Sequence, residues 1–120
     1  MDITIQDIKN RGDIDSERVV FIVTSDCDLG KYIAFKTTSS NNGETVSSDI
    51  EYPYWFPDTE VKKGDMIVLY TKEGVKNSKE NSDKTTTYFY YLSLSEPIYD
   101  DEASIALLMY SGVWTAKKPE

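Results

Sequence analysis

The side chains best equipped for chemistry in this 120-residue chain are carboxylates in two dense groups, Asp26-Cys27-Asp28 and Asp100-Asp101-Glu102. Oxygen clusters suit a hard cation such as calcium, and two carboxylates at a suitable separation can hydrolyse a glycoside. Neither group has the spacing of an EF-hand loop. Asp is common in turns because its side chain bonds nearby backbone amides, so both groups read as solvated acidic turns, with no metal ligated. Cys27 is the single cysteine. It excludes an intramolecular disulfide and a cysteine zinc cage, and its acidic neighbours raise its pKa, predicting an unreactive thiol.

The chain has no histidine. A Ser-His-Asp triad, a Cys-His dyad and a His-ligated zinc hydrolase cannot be assembled from it. An enzyme would be confined to Asp/Glu, Lys or Tyr chemistry, and no pair of these stands out, so we expect no catalytic residues and no cofactor. The Trp and Tyr content favours a carbohydrate-binding module over a glycosidase, but no secretory signal is visible at Met1-Asp2-Ile3-Thr4, which counts against both. Arg11-Gly12-Asp13 spells an integrin-read tripeptide inside what reads as an ordinary inter-strand loop, a chance occurrence.

Lys and Arg total 13 against 21 Asp and Glu, a net charge of −8. That charge repels phosphate backbones and anionic membranes, so direct nucleic-acid or membrane binding is not expected. Only Arg11 and Arg18 could offer a bidentate guanidinium. The acidity admits another function: an acidic phage-type inhibitor that occupies the basic groove of a nucleic-acid-binding or host-defence enzyme. The absence of a signal, of paired cysteines and of an apolar run of ~18 residues points to a cytoplasmic protein.

The elements that must position any site are strands. The chain holds 10 Ile, 8 Val and 11 Thr beside 9 Tyr, against 10 Ala and Leu together. Seven candidates follow one another: Ile3 to Ile8, Val19 to Thr24, Lys31 to Thr38, Thr45 to Ile50, Met66 to Thr71, Thr86 to Leu92 and Ser104 to Tyr110. Turn formers separate them at Asn10-Arg11-Gly12-Asp13, Ser39 to Gly43 and Lys62-Lys63-Gly64-Asp65. The polar run from Glu73 to Lys84 reads as a mobile hairpin loop. Val19 to Val23 and Met66 to Tyr70 are apolar at every position, so both their faces need cover. Tyr88-Phe89-Tyr90-Tyr91 sends aromatic rings to both faces of its strand.

Three stretches occur in a familiar order: Asp28-Leu29-Gly30-Lys31-Tyr32-Ile33-Ala34-Phe35, then Tyr54-Trp55-Phe56-Pro57-Asp58 through Gly64 to Leu69, then Ile98 to Gly112. Together they resemble the lamin-tail-domain family, in a bacterial or phage form, over roughly residues 19 to 115. The most specific piece is Phe56-Pro57-Asp58 with Gly64 at the matching offset. The chain departs from the family at Lys62-Lys63-Gly64, where Pro often precedes Gly, and in its Glu73 to Lys84 insert. The resemblance implies an immunoglobulin-like sandwich acting as a non-catalytic interaction module.

Composition, strand pattern and resemblance give one expectation. Residues 1–120 form a single all-β domain, an immunoglobulin-like two-layer antiparallel β-sandwich of about 7–9 strands with a flexible loop at about 73–85. It binds another protein or a second copy of itself through Tyr54, Trp55, Tyr88, Tyr90 and Tyr91, by burial of aromatic area inside a charged rim.

Overall fold

A computed structural model describes residues 1–40 and 45–120; Asn41-Asn42-Gly43 of the second turn signal, Ser39 to Gly43, lies outside the described residues. Eleven strands appear among them: β1 (Ile3–Lys9), β2 (Arg18–Val23), β3 (Cys27–Asp28), β4 (Tyr32–Ser40), β5 (Thr45–Val46), β6 (Glu51–Trp55), β7 (Glu60–Val61), β8 (Met66–Tyr70), β9 (Asn77–Glu80), β10 (Thr86–Tyr91) and β11 (Ser104–Tyr110). They make an all-β sandwich. One layer is a five-stranded sheet in the order β1-β2-β8-β10-β9, the other is built on β4 with β11 on one side and β5 and β6 on the other, and β3 pairs with β7.

All seven expected strands are present, the fourth shortened to Thr45–Val46. The strands that sequence reading passed over have physical reasons for being quiet. β3 and β7 are two residues each, too short for a pattern. Pro53 lies inside β6 and demotes it to an edge, and the register with β4 slips there, with Tyr52 at φ 52. β9 falls in the polar run read as loop; all four of its residues are exposed, so no apolar alternation marks it, yet it pairs antiparallel with β10.

That extra strand also changes the sheet. β10 returns between β8 and β9, and because the chain reverses direction at each step, β8 and β10 run parallel, with Ile67 opposite Tyr88 and Leu69 opposite Tyr90. The other strand pairs are antiparallel.

The core follows strict alternation. Val19, Phe21 and Val23 of β2, Ile67 and Leu69 of β8, and Tyr32 and Ala34 of β4 point inward with Leu29, Val61 and Ile98. In β1 the register shifts between Ile5 and Asp7. Without that bulge Ile8 would face away from Ile3 and Ile5; with it, Ile5 and Ile8 both pack on the core beside the buried Ile3.

Phe56 is the pin between the layers. Its ring lies edge-on to Phe21 (5.8 Å), Tyr54 (5.2 Å) and Tyr90 (5.2 Å), joining β2 and β10 of one sheet to β6 of the other. Gly64 takes the positive φ of 94° in the turn before β8. Asp65 locks that turn, its carboxylate accepting from the amides of Lys62 and Thr86, both at 2.9 Å.

Candidate interaction surface

The five residues expected to anchor a partner are placed on three different parts of the molecule. Tyr90 is inside, at 4% exposure, and Tyr54 is half-buried against it, their rings 5.8 Å apart. Burial pushes the phenols of both upward from their ordinary value. Tyr88 shares the inward face of β10 but lies near its margin, where with Tyr90, Pro57, Thr59 and Asn77 it lines an open hollow of about 240 Å³. Tyr91 points outward and stacks on Tyr70, with ring planes 10° apart at 5.4 Å. Trp55 is the most exposed of the five, at 48%.

Trp55 sits on the outer face of the β4 sheet. Tyr32 and Ala34 face the core, so Ile33 and Phe35 between them face out. On β11, Ala106 and Leu108 pack inward and leave Ile105, Leu107 and Met109 outside. Strand register arranges these outward side chains in rows. Met109, Ile33 and Trp55 form one, Leu107 and Phe35 the next, and Ile105 with Thr37 the third. Beyond Trp55 the C-terminal segment folds back and sets Trp114 edge-on to the Trp55 ring at 5.2 Å.

Trp55 is held in place. Its indole Nε1 donates to the Gly30 carbonyl at 2.7 Å, in the short 3-10 turn Leu29–Lys31 that links β3 to β4. Asp28 caps that turn by accepting from the Gly30 amide and also accepts from Thr59, so the Asp28-Leu29-Gly30 motif braces the strand on which Ile33 lies. At Gly30 any side chain would collide with Asp58, which confines the position to glycine. The C-terminal segment is tied where it leaves β11, with Ser111 donating from its amide (2.6 Å) and hydroxyl (3.0 Å) to the Lys31 carbonyl. A rigid aromatic ring on a fixed strand loses little entropy on binding, the property expected of an anchor.

Sequence reading found Trp55 but not its neighbours. Ile33, Phe35, Leu107, Met109 and Trp114 carry the rest of the surface, and the available signal was that the start of β4 (Tyr32 to Phe35) and the middle of β11 (Ile105 to Met109) are apolar at both alternating phases. Which phase is covered is decided by the opposite sheet.

The other singled-out groups have structural partners. The Asp26 carboxylate accepts from the Lys63 amide at 2.8 Å and pairs with Lys62 at 3.8 Å. Among the described residues, no three His, Cys, Asp or Glu side chains converge on a point that could hold a metal ion. Burial, and then Asp2, Asp28, Glu60 and Asp26, push the Cys27 thiol up and hold it protonated at neutral pH. The Arg11-Gly12-Asp13 tripeptide is consumed internally. Arg11 donates to the carbonyls of Tyr99 (2.6 Å) and Asp101 (3.1 Å), the Gly12 amide donates to Glu17, and Asp13 accepts from Asp15 and Ser16. None of the described helical segments is long and apolar enough to cross a membrane.

No protein-family model matches the chain, and no curated protein matches it in sequence.

Proposed function

We propose that the protein is a non-catalytic protein–protein interaction module, an immunoglobulin-like sandwich of lamin-tail type that binds another protein or a second copy of itself through the outer face of the β4 sheet. The observation that carries this reading is the Met109-Ile33-Trp55 row continued by Trp114. It is an apolar stripe on the outer sheet face, with Trp55 48% and Met109 43% exposed and Ile33 partly exposed between them, centred on an indole fixed by the Gly30 carbonyl. Exposed apolar area of this kind, with an aromatic anchor, is where association free energy concentrates. The lamin-tail likeness is supported by the parts its motifs play: Asp28-Leu29-Gly30 braces β4, Phe56 of Phe56-Pro57-Asp58 pins the core, and Gly64 makes the turn between β7 and β8.

Sedimentation velocity across a concentration series, beside affinity capture from the native cell, tests this with wild type, Trp55→Asp and Met109→Asp. The expected result is a homomeric or heteromeric complex with wild type that both variants lose while unfolding at a temperature close to wild type. A complex that survives both substitutions, or a wild type that remains monomeric and captures nothing, overturns it.

A further inference from the structure

The outer face of the five-stranded sheet has a different chemistry. Register again sorts its outward side chains into rows. Lys9, Arg18, Tyr70 and Tyr91 form the first; Asp7, Val20, Val68, Phe89 and Asn77 the second; Thr4, Ile22, Met66, Thr87 and Lys79 the third. Val20 and Val68 point away from the core yet are only 3% and 7% exposed, so the apolar side chains this face presents are the partly exposed Ile22, Met66 and Phe89. The middle of the face is thus an apolar strip with aromatic rings at one end.

Its charge is opposite to that of the whole protein. Lys9, Arg18, Lys79 and, at the end of β8, Lys72 stand on this face with Asp7 as the carboxylate among its rows, in a chain where 21 Asp and Glu outnumber 13 Lys and Arg. The ion pairs found among the described residues, Lys36 with Glu51 and Lys62 with Asp26, involve none of these four cations. Two of them are pre-positioned. The Lys72 ammonium lies 4.8 Å and the Arg18 guanidinium 5.9 Å from the centre of the Tyr70 ring, and Arg18 also donates to the Ser16 carbonyl at 2.8 Å.

From this we infer a second docking surface, for an acidic polypeptide segment lying across the strands. Its apolar side chains would rest on Ile22, Met66 and Phe89, which are partly exposed, and its carboxylates would meet Arg18 and Lys72 on one flank and Lys79 on the other. Five strands at ~4.8 Å spacing make a face about 19 Å wide, the length of about six extended residues. The ring geometry favours a polypeptide over a single-stranded nucleic acid. Tyr70 already stacks on Tyr91 and carries Lys72 over its face, so it offers no free platform for a base.

Fluorescence anisotropy with a dye-labelled twelve-residue peptide alternating Glu and Leu tests the inference, beside the same peptide with Lys for Glu and a twelve-nucleotide oligothymidine. The Glu peptide is expected to bind. Lys72→Glu and Arg18→Glu should each weaken it about tenfold, Lys79→Glu about threefold, and salt should weaken it steeply. Lys79 is exposed, so that variant reports even if Arg18→Glu fails to fold. Trp55→Asp should leave the affinity unchanged, which separates this surface from the one on the β4 sheet. Absence of Glu-peptide binding, equal binding of the Lys peptide, insensitivity to all three charge reversals, or tighter binding of oligothymidine overturns it.

Discussion

Glu17 and Thr71, 54 residues apart, bind each other twice: the Thr71 hydroxyl donates to Glu17 Oε2 at 2.5 Å, and the Thr71 amide donates to the Glu17 carbonyl at 3.2 Å. The carboxylate is fully buried and also accepts from the amides of Gly12, Ile98 and Tyr99. No cation pairs with it among the described residues. Four donors converging on one carboxylate replace its lost water and tie the loop before β2, the end of β8 and the segment before β11 into one unit. The phenol of Tyr99 is pushed far up, by burial first and then by the Glu17 charge.

Removing the acceptor strands those donors inside the protein. Glu17→Ala should cost about 3 kcal/mol or more and Thr71→Val about 1–2 kcal/mol. Because the two share a bond, the double variant should cost less than the sum. Urea unfolding of the four proteins measures this, and strict additivity would count against the shared bond.

Acid should expose the same network. Burial alone raises the Glu17 pKa, but the Thr71 hydroxyl and the Ile98, Gly12 and Tyr99 amides outweigh it and hold the carboxyl below its ordinary 4.5. A depressed folded-state pKa contributes stability that is present in full above about pH 4.5 and is lost as pH falls through the lower folded value. Wild type should therefore lose stability on acidification through that window more steeply than Glu17→Gln, which starts weaker at neutral pH. Parallel curves for the two proteins are the contrary result.

Phe56 should be the costliest single aromatic in the core. Phe56→Ala removes a ring in contact with Phe21, Tyr54 and Tyr90 and should cost about 3–5 kcal/mol. Tyr90→Phe keeps the ring and should cost under about 1.5 kcal/mol. Thermal unfolding ranks the two; equal losses would mean that the cluster does not hold the layers together.

Trp55 and Trp114 are the chain's two tryptophans, so optical signals in the indole bands report on their contact. A chain ending at Gly112 should lose the asymmetric environment of the pair, seen in near-UV circular dichroism, at a stability cost of about 0.5–1.5 kcal/mol. An unchanged spectrum would show that Trp114 does not rest on Trp55 in solution.

Much of the fold was readable in the chain because alternation is local. Val19, Phe21 and Val23, or Ile67 and Leu69, advertise a strand and its phase without any partner. β9 was not readable: its Asn-Ser-Lys-Glu has no apolar phase and becomes a strand only because β10 offers its ladder. Of the candidate surface, Trp55 stood out by residue type. Tyr54 and Tyr90, of the same aromatic class, turned inward, and Trp114 came from a segment with no pattern.

The sequence by itself determined an all-β architecture, the inward side of its central strands, and a site alphabet without histidine or paired cysteine. Tertiary structure decided which apolar phases stay open, how four cations gather on one face of an acidic protein, and where Glu17 finds its donors. Those outcomes depend on contacts between residues up to 82 positions apart, as from Glu17 to Tyr99, and separation of that order leaves no trace in local periodicity.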